Sequence, residues 1–322
     1  MWAGMAILVG IDEAGYGPLL GPLVVSSSTF SVPQEHLKSD LWQVLRKSIA
    51  DKRRGLAGRL LITDSKKAHS KSQGLKHLER TTLGCLKCLG SEPGDLNELL
   101  LALCPDCVGR LDRYPWHKSR EEPIRVDLAD IGIASGVFAD DLASNGMGLL
   151  GLNSCCLDVG HYNDLVGNVK NKAVVLFTAT THLISQAWES YGEDGLQVVV
   201  DRQGGRVHYR QNLQRIFPDA QFSILKETGS NSSYELSQGK RRMRIHFAVK
   251  ADSKYPAVSL ASMVSKYLRE LLMGNINRYF KDFYPELKPT AGYWTDGLRF
   301  VEDLKTNVGH INYESEQLIR CR

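Results

Sequence analysis

Long apolar runs are missing from this chain of 322 residues. None approaches the roughly 20 consecutive apolar residues that a membrane-spanning helix needs. The opening Met1–Gly10 is apolar but short, has no basic lead and runs straight into Asp12-Glu13. It is therefore read as a first strand rather than a secretory leader, and a cytoplasmic location is expected. A strong charge of either sign is also missing: 40 Lys and Arg against 36 Asp and Glu leave a net +4, a mild lean towards polyanionic partners that decides nothing alone. The nine histidines are scattered and give no pair at metal-ligand spacing on one helix. No Ser-His-Asp arrangement is readable, and Asp201-Arg202-Gln203-Gly204-Gly205 is a turn rather than a complete phosphate loop. Seven cysteines, an odd number in a large chain without a leader, argue against a disulfide framework. Internal repeats, low-complexity tracts and clean linkers are absent too, so one elaborated domain spanning 1–322 is expected rather than two.

What is present is an interleaving of strand and helix patterns. Ala6–Ile11, Leu23–Phe30, Met147–Val159, Leu196–Val200 and Ile245–Val249 read as strands. Helical spacing runs through Gln34–Ile49, Gly74–Leu89, Asp95–Leu103, Val174–Tyr191, Tyr209–Phe217, Ala257–Met273 and a tail from Leu298. Residues 110–145 have weak periodicity and many polar and glycine positions, and read as a loop-rich excursion. Such alternation favours an α/β fold.

Three of the strands end in acid. Ala6–Ile11 is followed by Asp12-Glu13, Leu196–Val200 by Asp201, and Ile245–Val249 by Lys250-Ala251-Asp252. Acids at strand ends are common turn formers, and any one of these would be read that way. Strands laid side by side would gather all four carboxylates in one small space. Such a group repels itself and is costly to desolvate. A divalent cation resolves the conflict, and all-oxygen donors favour Mg²⁺ or Mn²⁺ over Zn²⁺. Two such ions suit phosphodiester hydrolysis.

At these positions the local sequence resembles the ribonuclease HII family. Gly10-Ile11-Asp12-Glu13-Ala14-Gly15-Tyr16-Gly17-Pro18, with Gly21-Pro22-Leu23-Val24-Val25, is similar to that family's opening motif. Asp64-Ser65-Lys66-Lys67, Val199-Val200-Asp201, Lys250-Ala251-Asp252-Ser253-Lys254-Tyr255-Pro256 with the helix Leu260–Glu270, and Ala291-Gly292-Tyr293-Trp294-Thr295-Asp296 resemble its later motifs, in order. Stretches 90–145 and 203–244 match nothing in it, the first reading as a family-atypical insertion. The resemblance implies a ribonuclease H-like mixed sheet flanked by helices, with that insertion and a helical C-terminal part. It implies cleavage of RNA paired with DNA, or of ribonucleotides embedded in DNA, with 5′-phosphate and 3′-hydroxyl products. Asp12, Glu13, Asp201 and Asp252 carry over as ligands of two Mg²⁺ or Mn²⁺ ions. Gly15, Tyr16 and Gly17 carry over as readers of the ribose 2′-hydroxyl, which distinguishes RNA from DNA. Lys66 and Lys67 carry over as phosphate contacts and Tyr293 as the residue packing on the neighbouring sugar. The family usually has Arg where this chain has Tyr16. Arg grips phosphate bidentately and Tyr does not, so a preference for extended hybrid over a single embedded ribonucleotide is expected. A catalytically weak nucleic-acid-binding relative with a structural or regulatory role is the alternative.

Two further groups need weighing. Cys85-x-x-Cys88 and Cys104-x-x-Cys107 have the spacing of a structural zinc site. The first pair lies within a helical pattern, and small buried cysteines are ordinary core residues, so structural zinc is not expected. Lys240-Arg241-Arg242 with Arg244 is either a solvated face or, if near Asp252, a set of phosphate contacts. Aromatic residues Tyr279, Phe280, Phe283 and Trp294 are expected mainly to pack in the core.

Overall fold

In the computed structural model, residues 4–69, 74–118, 120, 123–124, 127–307 and 313–321 are described. Met1-Trp2-Ala3 of the expected first strand lie outside them. In chain order the strands are β1 (Met5–Ala14), β2 (Leu23–Pro33), β3 (Ile49–Ala50), β4 (Leu60–Leu61), β5 (Gly148–Leu157), β6 (Leu196–Asp201), β7 (Gln221–Glu227), β8 (Asn231–Gln238) and β9 (Arg241–Ala248). Among the described residues seven strands form one sheet in the order β5-β2-β1-β6-β9-β8-β7, and β3 pairs with β4 apart from it. The pairs β1–β6 and β6–β9 are parallel and the other pairs of the large sheet antiparallel. The mixed α/β sheet flanked by helices expected from the sequence is thus the architecture present.

The period-2 alternation of β1 explains its central place. Ile7, Val9 and Ile11 enter a core with Val175, Leu176, Leu183 and Ile184 of the helix Lys172–Tyr191. Leu8 enters the other core, with Leu260, Met263 and Val264 of the helix Pro256–Phe283. Between them Gly10 is required by packing, since a Cβ there would collide with the backbone of Ala257 and Val258. The start of the long helix is thereby pressed onto the strand that carries Asp12, and Ser28 on β2 donates to the Ala257 carbonyl at 2.7 Å. Among the described residues no helix is long and apolar enough to cross a membrane.

Two expectations are corrected, and an unmatched stretch finds its place. Residues 34–49 do not form one helix. A 3₁₀ turn Gln34–His36 and a single turn Leu41–Val44 are followed by β3. Distant partners decide this: Trp42 Nε1 donates to the Ile62 carbonyl at 2.8 Å, and the Asp141 carboxylate accepts from the Ser48 amide and hydroxyl. Residues 110–145 are not mainly loop. They contain the 17-residue helix Leu128–Ser144, whose N-cap Asp127 accepts from the Ala129 and Asp130 amides. Its inner face is Ile131, Ala134, Phe138 and Leu142, while exposed Leu128 and Ile133 blur the periodicity. The unmatched stretch 203–244 supplies the hairpin β7–β8, which extends the sheet beyond β9.

Candidate active site

Parallel pairing of β1 with β6 sets Ile11 beside Val200, so Asp12 and Asp201 follow as neighbours at the same sheet end. On the other side of β6, Ala248 of β9 stands opposite Asp201. The chain then turns through Lys250, in the left-handed region at φ 54°, into the 3₁₀ turn Ala251–Ser253. The turn returns Asp252 to that end, and its Ala251 amide donates to the Asp201 carboxylate at 2.6 Å. Ser265, on the long helix, donates to the Asp12 carbonyl at 3.0 Å, and the Ser262 hydroxyl one turn earlier donates to that of Ser65 at 3.1 Å.

The electrostatics show the acids acting on one another. Burial holds the Asp12 carboxyl well above the usual carboxylate range, with repulsion from Glu13 and Asp201 adding to it. Burial, then Asp201, pushes Glu13 up to about 7. Asp201 rises to about 6 through burial and the charge of Asp252. Asp252 rises through burial and the charge of Asp64, against Lys66 and Lys67. Lys66 opposes the shift at Glu13, Asp201 and Asp252 alike. Asp64 is thus a fifth carboxylate of this end; in the sequence it was named only within Asp64-Ser65-Lys66-Lys67 and not singled out, and in the structure it also caps the following turn, accepting from the Lys66 amide. Lys67 and Asp252 both line a cleft of about 1100 Å³ beside Trp42 and Lys254. The four acids singled out in the sequence are brought into mutual electrostatic reach. Even so, among the described residues no three His, Cys, Asp or Glu side chains are grouped so as to hold one metal ion as they stand.

The opening loop and the late Gly-Tyr segment are also brought together. The Gly292 carbonyl accepts from the Leu19 and Leu20 amides at 2.7 and 3.1 Å. Buried Arg269 ties both sides, donating to the Leu20 carbonyl at 3.2 Å and the Ala291 carbonyl at 2.9 Å. Its guanidinium lies 5.9 Å from the ring centre of Tyr293, which is half exposed. Gly15 takes φ +93°, where a Cβ would also strike Pro22 and Arg269. Gly17 is different: it is exposed, and a Cβ on it would meet no described atom within 4 Å. Neither backbone nor packing asks for glycine there. Tyr16 is half-buried beneath Lys172, whose Nζ is 5.3 Å from the ring centre.

Other sequence candidates fall elsewhere. The basic run stands at the start of β9, whereas Asp252 lies past its end, so the run is not beside the acids. Arg241 pairs with Glu189 at 2.8 Å and Arg244 with Glu235 at 2.6 Å, the solvated-face reading. The two Cys-x-x-Cys pairs do not join. Cys88 is spent on Ser135, while Cys107 bonds Cys104 at 3.5 Å and also Cys156 at the end of β5. Phe280 is buried against Trp116 and Tyr279, as core packing requires, but Phe283 and Trp294, expected in the core as well, are 47% and 43% exposed. Residues missed in the sequence are Arg320, Lys172 and Arg206, which acts on the Tyr16 hydroxyl; no local pattern marks them.

No family profile matches the chain, and no curated protein does. Solved structures are similar to it in chain course. A chain in the structure of the PCNA:RNase HII complex from Archaeoglobus fulgidus is 16% identical, with 98% of this chain and 94% of that one covered and a TM-score of 0.48. Bst-RNase HIII in complex with Mn²⁺ is 12% identical, covering 98% of this chain and 66% of that one, with a TM-score of 0.43. The ribonuclease H2 from Pyrococcus horikoshii OT3 is 15% identical, covering 98% and 92%, with a TM-score of 0.39. What the site does is argued from its side chains.

Proposed function

We propose that the protein is a metal-dependent endoribonuclease, hydrolysing the RNA strand of RNA–DNA hybrids or ribonucleotides embedded in DNA to leave 5′-phosphate and 3′-hydroxyl ends. The observation that carries this reading is the gathering of Asp12, Glu13, Asp201 and Asp252 at one sheet end, with the carboxyls driven towards protonation by burial and mutual repulsion. Hard oxygen donors whose carboxyls stay raised in spite of Lys66 fit Mg²⁺ or Mn²⁺, and these four residues would hold them. When bound, two such ions supply activation of water and stabilisation of the leaving oxygen. The chain's own residues do the rest. Gly15 and Gly17 let backbone groups approach the ribose 2′-hydroxyl, Lys66 and Lys67 meet backbone phosphate, and half-exposed Tyr293 packs on the neighbouring sugar.

One observation favours a second reading, a weakly catalytic nucleic-acid-binding protein: no three described acids are grouped for one ion as they stand. Under the first reading the acids draw together when a cation enters. The deciding experiment incubates the protein with labelled hybrid, embedded-ribonucleotide duplex and plain DNA duplex, with Mg²⁺ or Mn²⁺. Cleavage of the first two and not the third is expected. Binding of hybrid with no cleavage under either metal would establish the second reading, and equal cutting of plain DNA would end the first.

A further inference from the structure

We infer that the opening loop carries a subsite for a backbone phosphate of the nucleic acid, in a pocket whose cationic wall is Lys170, Lys172 and Arg320; the assignment to nucleic acid rests on the function proposed above. Arg320 is the central observation. It is buried, with 3% of its surface exposed, and comes from the far end of the chain. Its Nη2 donates to the Gly15 carbonyl at 2.6 Å, its backbone amide to the Leu19 carbonyl at 2.9 Å, and its guanidinium lies 4.8 Å from the ring centre of Tyr162. Its Nε and Nη1 have no hydrogen-bond partner. Among the described residues no carboxylate pairs with it. The neighbouring charge is instead that of Arg269, which, after burial, helps to depress Arg320 to about 10. A buried charge with like charge beside it and two unused donors is costly unless an anion completes it.

The surroundings suit that anion. The pocket holds about 400 Å³ between the opening loop, Lys170–Lys172 and Arg320, and among the described residues no Asp or Glu lines it. Lys170 adopts the left-handed region at φ 52°, a conformation unusual for a residue with a side chain. The turn it makes leads into the 20-residue helix Lys172–Tyr191, whose N-terminus is thereby at the pocket. Helix N-termini favour phosphate through their free amides and dipole. The pocket also borders Gly17, the open glycine of the loop, so a chain whose ribose is read there has its phosphodiester within the same groove. The cation that position 16 lacks is thus supplied in space by Arg320 and Lys172. The bias against a single embedded ribonucleotide is accordingly smaller than Tyr16 alone implies.

The test uses the full chain in metal-free buffer and needs no catalysis. The melting temperature is measured in inorganic phosphate and in chloride at matched ionic strength, for wild type, Arg320→Gln and Lys172→Gln. In parallel, binding of a short RNA–DNA hybrid is measured over a range of salt. Phosphate should raise the wild-type melting temperature and raise it less in both variants. Arg320→Gln should weaken hybrid binding by about tenfold to a hundredfold, the worth of a charge-assisted hydrogen bond. Lys172→Gln should lower the salt slope by about one, as expected for a lost phosphate contact, and it tests the pocket even if Arg320→Gln fails to fold. A wild type that ignores phosphate, or variants that respond as wild type does, would overturn the subsite. A phosphate response with hybrid affinity unchanged in Lys172→Gln would show a free-anion site and overturn the assignment to nucleic acid. If Lys172→Gln weakens hybrid binding but wild type cuts nothing, the subsite stands and the nuclease reading is what fails.

Discussion

Two clusters of like charge meet at the end of β1, separated by Ala14 alone. On one side Asp12 and Glu13 crowd Asp201; on the other Arg320 holds the Gly15 carbonyl with Arg269 beside it. Opposite charges gathered on neighbouring residues of one strand end could have neutralised one another as ion pairs. No such pair joins Arg320 to Asp12 or Glu13 among the described residues, and burial raises the acids and depresses Arg320. The far end of the same sheet shows the ordinary solution, with Arg241 on Glu189 and Arg244 on Glu235. The difference teaches that among the described residues Asp12, Glu13, Asp201, Asp252 and Arg320 have no such close ion pair, while Arg269 beside them is answered by Glu270 at 3.5 Å. Under the function proposed above, a cation and a phosphate would complete them.

The comparison is broken most directly at the acids. Asp12→Asn removes ligand charge and little volume. Cleavage of hybrid should fall on the order of 10³-fold or more, since metal charge stabilisation amounts to several kcal/mol. The metal-free melting temperature of this variant should be no lower than wild type, because a repelling charge is gone. Retained cleavage, or a variant that unfolds in metal-free buffer, would contradict the site.

A second prediction uses pH. Glu13 at about 7 and Asp201 at about 6 lie above their unfolded values. The folded state therefore binds more protons than the unfolded one between about pH 4 and 7, and stability falls as pH rises through that window. Measured without metal, wild type should lose melting temperature relative to Asp12→Asn from pH 5 to pH 8, and saturating Mn²⁺ should abolish the difference. Parallel pH profiles for the two proteins would refute mutual repulsion.

The cysteines offer a smaller effect. Cys104 and Cys107 adjoin Cys156 rather than Cys85 and Cys88. The protein is expected to fold without zinc, so elemental analysis of purified protein should find it well below one equivalent. Stoichiometric zinc that disappears in a Cys104→Ser, Cys107→Ser double variant would show the opposite. The smallest effect belongs to the far end of the sheet. Arg241→Gln with Arg244→Gln removes two surface pairs of the kind worth about 0–1 kcal/mol. Hybrid affinity should change by less than about twofold, whereas the loss of a single charge at Lys172 should be plainly visible. An equal effect at both ends would dissolve the contrast drawn between them.

The acids were legible because a strand's end is marked in the sequence, by an apolar run that stops at Asp12, at Asp201 and just before Asp252. Parallel neighbours then bring such ends together. Asp64 was half legible, its capping role concealing its charge. The helix Leu128–Ser144 was hidden because apolar Leu128 and Ile133 face outward, and the segment 34–49 misled because Trp42 and Ser48 found partners far along the chain.

By itself the sequence determined which elements are apolar, where they stop and which chemical groups stand at those stops. Strand and helix periodicity are local properties of a chain, and so are the acids that follow them. The tertiary structure alone decided which charges are answered. Arg241, Arg244, Arg269 and Arg320 are the same residue type, yet two are paired at the surface, Arg269 is buried with Glu270 at 3.5 Å, and Arg320 is buried with no carboxylate paired to it among the described residues. Coulomb interactions depend on distance and on the surrounding dielectric. Neither is written in the chain until its two ends, Gly15 and Arg320, are brought to 2.6 Å.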